Sequence, residues 1–145
     1  MYKKILVPLD GSKTAEGVLV HAKALAFSEG ATILLLNVAA NPAQEFAFAD
    51  PAIASKTVSD QEQKARKYMA TVESQMKAVG QKVTVILAEG AAADVILKMA
   101  EQENVDVIAM STHGRTGPAR WLIGSVAERV VRNSKVPVLL IRSRE

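Results

Sequence analysis

An α/β fold built on a mainly parallel sheet is the architecture this sequence predicts, and three features predict it. Short, almost wholly apolar segments recur along the chain, as expected of strands covered on both faces. Between them lie stretches whose apolar residues recur at spacings of three and four, the pattern of helices with one buried side. Five such strands alternate with four such helices, which requires crossover connections, and these are right-handed in parallel sheets. The 145 residues are the size of one domain, so residues 1–145 are expected to form a single unit, and an apolar content of 49% suffices for a substantial core.

The elements follow in order. Lys4 to Leu9 is a continuous apolar run and the first strand. Asp10-Gly11-Ser12 is a turn, and Ser12 is placed to cap the next helix. In that helix Ala15, Val18, Leu19, Ala22, Leu25 and Ala26 share one face, and Gly30 ends it. Thr32 to Val38 is the second strand. Residues 39–54 are the least regular part, punctuated by Asn41-Pro42 and Asp50-Pro51. A long helix follows, with Ser59 and Glu62 spaced as a capping box, an apolar stripe of Ala65, Tyr68, Met69, Val72, Met76 and Val79, and Gly80 at its close. Lys82 to Ala88 is the third strand, Ala92 to Glu103 a helix, and Asp106 to Met110 the fourth strand. A glycine-containing loop runs from Ser111 to about Ile123, the last helix covers Ser125 to Asn133, and Val136 to Arg142 is the fifth strand.

Composition excludes several functions. No apolar run reaches the roughly 18 residues of a membrane span. Cysteine is absent, which removes disulfides, thiolate metal sites and a cysteine nucleophile. Met1 leads directly into Lys3, Lys4 and a strand, so no secretory leader is expected and a cytoplasmic protein is. The net charge of +3 is uneven: residues 111–145 hold seven Lys or Arg against two acids. That balance points to a local anionic partner. Aromatics are scattered and no basic stretch is interleaved with them, so nucleic acid is not expected as a partner.

Ligands of open parallel sheets sit past the carboxyl ends of the strands, where strand order reverses. The residues there are Asp10, Val38, Ala88 and Ser111. The strongest signal follows strand four, where Ser111-Thr112-His113-Gly114 precedes nine residues and then Gly124-Ser125. Gly114 lets backbone N–H groups approach an anion, and the N–H groups opening the last helix favour a phosphate. Such a helix end contributes about 0.3–1 kcal/mol when exposed and up to ~2 when partly buried. Equally, Ser125 and Glu128 have the spacing of a capping box that needs no ligand. On spacing alone both readings stay open. The loop is neither a Walker loop nor the dinucleotide fingerprint. His113 has no acid or nucleophile beside it in sequence and reads as a hydrogen-bonding loop residue; His21 flanks the apolar stripe of helix one and reads as structural.

Several separate motifs, agreeing in order and spacing, resemble the universal stress protein family over nearly the whole chain. Lys3-Lys4-Ile5-Leu6-Val7-Pro8-Leu9-Asp10-Gly11-Ser12 is similar to its first strand and turn. Ser111 to Gly117, Trp121 to Glu128 and Val136 to Ile141 are similar to its C-terminal signature. The nucleotide-binding branch carries Gly-x2-Gly-x9-Gly followed by Ser or Thr. Gly114, Gly124 and Ser125 match that pattern, and Ser111 stands where it has its first glycine. Serine keeps a backbone N–H and adds a hydroxyl, while its Cβ restricts close approach.

The resemblance implies an open five-stranded parallel sheet of order 3-2-1-4-5 with helices on both faces. It implies a homodimer paired along the edge strand Val136 to Arg142, where Pro137 suits an edge and an apolar edge calls for cover. It also implies an adenine nucleotide, ATP foremost, with Mg²⁺ bridging the phosphates. Pro8, Leu9 and Asp10 would line the adenosine end, and Val38 would touch the adenine. Met110 and Ser111 would bring backbone to the ribose and phosphates; His113, Gly114 and Arg115 would flank the phosphate path; Gly124, Ser125 and Val126 would close it. Asp10 has a ligand-free role as well, bonding the N–H groups around Ser12. No base or water-positioning residue stands out, so hydrolysis is expected to be slow or absent. The expected function is a stress-response sensor or regulator; the alternatives are an interaction protein of the same fold that binds no nucleotide, and a weak ATPase.

Overall fold

A computed structural model of the chain describes residues 1–40, 50–113 and 123–142. Within them five strands, β1 (Lys4–Pro8), β2 (Thr32–Ala39), β3 (Val83–Glu89), β4 (Val107–Ser111) and β5 (Val138–Ile141), form one sheet of order β3-β2-β1-β4-β5, every pairing parallel. The helical segments are α1 (Lys13–Glu16), α2 (Leu19–Glu29), α3 (Pro51–Ala78), α4 (Ala92–Gln102) and α5 (Ser125–Asn133). Among the described residues no helix is long and apolar enough to cross a membrane.

Because side chains alternate along a strand, the central strands feed two cores. Ile5, Val7, Ile33, Leu35, Val107 and Ala109 pack with α2 and α3, through Ala22, Ala26, Met69, Val72 and Met76. Leu6, Leu34, Leu36, Ile108 and Met110 pack with α4 and α5, through Ala93, Ile96, Ala127 and Val130. The helices therefore cover both faces, as the apolar runs predict. At the amino edge Asp106 ties β1 to β4, its Oδ2 accepting from the backbone N–H groups of Lys3 and Lys4 at 2.8 and 2.9 Å.

Four local expectations are corrected. The first helix is not continuous: at Gly17 and Val18 the backbone N–H groups bond back three residues, to Thr14 and Ala15 carbonyls at 3.3 and 3.4 Å, before α2 resumes regular bonding. The break falls at Gly17, and the Ser111 hydroxyl enters this turn from β4 to donate to the same two carbonyls, at 3.0 and 3.3 Å. The long helix starts at Pro51, eight residues before the Ser59–Glu62 spacing, and both of those residues are exposed within it. Asp50 is its N-cap, accepting from the Ala52 N–H at 2.8 Å, and proline suits the first helical position because its missing N–H has no helical role there. Val79 caps the other end and lies exposed rather than in the stripe. Strand β5 is shorter than the expected Val136 to Arg142. Ser134 Oγ holds the Val136 N–H at 3.1 Å outside the ladder, and the Pro137 carbonyl accepts from Ile108 at 3.0 Å.

Asp50→Ala leaves the N–H groups at the start of α3 without their cap. It is expected to lower stability by about 1 kcal/mol, and Asp50→Gly by only a few tenths, in urea unfolding followed by circular dichroism.

Candidate functional site

Strand order places β1 next to β4 at the centre of the sheet. The chain leaves β1 into α1 and α2 on one face, and leaves β4 for α5 on the other. A crevice opens between the two departures, at the carboxyl ends of both strands.

On the β1 side, Pro8 is half-buried and Leu9 buried. The Leu9 N–H donates to the Leu36 carbonyl at 2.8 Å, and its own carbonyl accepts from Asn37 Nδ2 at 3.0 Å. Asn37 is a buried amide in an apolar strand, and it orients the backbone just before Asp10. Sequence reasoning passed over it; one amide among Leu34, Leu35, Leu36 and Val38 was its signal. Asp10 Oδ1 accepts from both the backbone N–H and the hydroxyl of Ser12, at 2.9 and 2.6 Å. The expected turn is thus formed. Ser12 in turn caps α1 by accepting from the Ala15 N–H at 3.1 Å. Val38, half-buried near the end of β2, packs against the α4–α5 core.

On the β4 side, Met110 puts its side chain into the α4–α5 core, so only its backbone faces the crevice region. Ser111 is buried, with its hydroxyl turned to α1. Thr112 donates to the Ile141 carbonyl at 2.9 Å and accepts from the Gly124 N–H at 2.7 Å. His113 is buried beside Gly124. Gly124 is the N-cap of α5; a Cβ there would stand 2.9 Å from the Thr112 carbonyl oxygen and 3.6 Å from His113 Cα. Only glycine allows this approach. Ser125 is the first residue of α5 and not its cap, and both it and Val126 are exposed. The expected Ser125–Glu128 capping box is therefore not formed. Its Glu128 carboxylate goes instead to Arg132 at 2.8 Å. Gly114 and Arg115 lie outside the described residues.

Among the described residues, three basic side chains of the C-terminal quarter are in ion pairs. Arg129 meets Asp94 at 2.9 Å, Arg132 meets Glu128, and Lys135 meets Glu101. All three pairs are exposed and worth little to stability, but they absorb much of the basic excess near the C-terminus. The backbone where α5 opens can also attract an anion, through the N–H groups at a helix start. On the opposite bank, the buried Tyr68 hydroxyl is held well above the ordinary phenol range, by burial first and then by the carboxylates of Glu16 and Asp10.

Known proteins share this fold. A model of the universal stress protein family matches residues 1–142. A universal stress protein of Methanocaldococcus jannaschii is 35% identical over 159 aligned positions, covering 99% of this chain and 97% of the relative. One from Thermus aquaticus is 30% identical, covering 98% and 100%. Among solved structures, that of the protein MJ0577 is 34% identical with a TM-score of 0.87, covering 100% of this chain and 99% of that one. A universal stress protein solved in complex with cAMP is 20% identical, with a TM-score of 0.71 over 97% of each chain, and has the same fold.

Gly124→Ala forces its new methyl group against the Thr112 carbonyl. It is expected to cost about 1–3 kcal/mol, read as a lower urea midpoint with an unchanged m-value.

Proposed function

We propose that this chain, which belongs to the universal stress protein family, binds an adenine nucleotide, ATP foremost, and works as a homodimeric stress-response sensor or regulator with little or no hydrolysis. The observation that carries this reading is the start of α5. Its cap is a glycine, without a side chain to occupy the helix end, pressed against the β4 terminus at the point where strand order reverses. A phosphate chain suits that position, since backbone N–H groups and the helix dipole both favour negative charge. The fold also accommodates an adenine nucleotide in the related structure solved with cAMP.

In this reading Pro8, Leu9, Asp10 and Val38 take the adenosine, the carboxylate of Asp10 accepting from ribose or adenine. The backbone of Met110 and Ser111, with His113, Gly114 and Arg115, flanks the phosphates, and Gly124, Ser125 and Val126 close the path. Mg²⁺ would travel with the phosphates, neutralising charge that the backbone alone does not. The half-buried edge strand β5 supports the dimer: Val138, Leu139, Leu140 and Ile141 form an apolar edge that pairing with a second copy would cover.

Calorimetry with ATP, ADP, AMP and cAMP is expected to show saturable heat, strongest for ATP. A nucleotide at a hundred times its Kd should add about 2.7 kcal/mol to stability. No heat and no thermal shift with any of the four removes the reading. For the dimer, light scattering at micromolar concentration is expected to give twice the chain mass; the mass of one chain overturns it.

A further inference from the structure

The Ser111 hydroxyl begins an unbroken hydrogen-bond chain that crosses from β4 to β1. It donates to the Thr14 carbonyl at 3.0 Å, with Ala15 as a second, longer acceptor at 3.3 Å. The N–H of the same Thr14–Ala15 peptide unit donates to Ser12 Oγ at 3.1 Å. The Ser12 hydroxyl then donates to Asp10 Oδ1 at 2.6 Å, the short distance of a bond to a charged carboxylate. Every donor in the series points the same way, so each bond polarises the next. Its two ends are residues 10 and 111, on facing banks of the crevice, and it passes through the interruption between α1 and α2.

We infer that Ser111 is a positioning residue for nucleotide binding, holding the Asp10 carboxylate in place through the Thr14–Ala15 peptide and Ser12. The inference rests on the nucleotide reading above. It reverses the sign expected from the glycine pattern. There, serine at 111 narrows the phosphate path, and restoring glycine should tighten binding. Here, the side chain is buried and points away from that path, its Oγ lying 4.0 Å from where a Cβ on Gly17 would be. Restoring glycine opens nothing for the phosphates. It cuts the chain of bonds at its source and leaves the Thr14 carbonyl with only the longer bond from the Gly17 N–H, at 3.3 Å.

The test is calorimetric titration of ATP into the full chain and into Ser111→Gly, Ser111→Ala, Asp10→Ala and the Asp10→Ala/Ser111→Ala double variant, with thermal unfolding confirming that each is folded. Both Ser111 variants are expected to bind ATP about three- to tenfold more weakly, the range of one net hydrogen bond. In the Asp10→Ala background Ser111→Ala is expected to add no further loss, because it acts through the carboxylate already removed. Inorganic tripolyphosphate, which has no group for Asp10 to read, should compete equally well in all Ser111 variants. Ser111→Gly binding ATP as tightly as the unsubstituted chain, or more tightly, overturns the inference. So does an equal loss from Ser111→Ala with and without Asp10. Failure of the unsubstituted chain to bind ATP, ADP, AMP or cAMP overturns the nucleotide reading itself and this inference with it.

Discussion

Placing β1 between β2 and β4 obliges the chain to leave two neighbouring strands toward opposite faces of the sheet, and most of what is distinctive in this molecule follows from that obligation. The two departures cannot cover each other, so the sheet is open at its carboxyl edge between them. The polar groups of two strand ends and two helix starts meet there and need partners. Some find them on their own bank and one, Ser111, reaches across the gap. Asn37 satisfies the Leu9 carbonyl, Gly124 satisfies Thr112, and Ser111 satisfies carbonyls of α1.

These partners constrain residue type more tightly than the cores do. A core position accepts hydrophobic substitutes of similar volume. Position 124 accepts no side chain, because the backbone of Thr112 occupies the space. Position 111 is filled by a hydroxyl with specific acceptors 97 residues away in sequence. Asp10 needs Ser12 within its turn. Positions 10, 111 and 124 are thus held by the protein's own bonds and contacts, and pre-placed groups lower the ordering cost of binding.

The strands were legible because parallel strands covered on both faces are written as unbroken apolar runs, and Thr32 to Val38 needs no other information. Strand order came from family resemblance, since nothing in the apolar pattern distinguishes one parallel arrangement from another. The helix ends were harder. Asp50-Pro51 has the chemistry of a helix start, but loops use the same two residues as punctuation. Ser125 and Glu128 have capping-box spacing, yet the close approach at Gly124 took the cap and Arg132 took the glutamate. At the interruption between α1 and α2 the only local signal was Gly17; the Ser111 hydroxyl that bonds its carbonyls comes from the end of β4. Of the site, the β1 turn and the glycine opening α5 were visible in the residues; the direction of the Ser111 side chain was not, since only the folded turn decides which bank it joins.

Helix α2 is apolar on more than one side. Ala22 and Ala26 lie beneath it against the sheet, while Val20 and Phe27 stand outward at 64% and 90% exposure. Hydrophobicity alone would bury the larger pair, and it loses. Ala22 and Ala26 are fully enclosed in the core, with Leu19 and Leu25 packed at its margin, so a larger side chain at either alanine would have to displace buried neighbours. Volume thus constrains the inner face of this helix more tightly than polarity constrains its outer face. Along α2, substitutions that enlarge an inner alanine should be purged more strictly than those that place a charge at Phe27, an ordering that a hydropathy scale would invert.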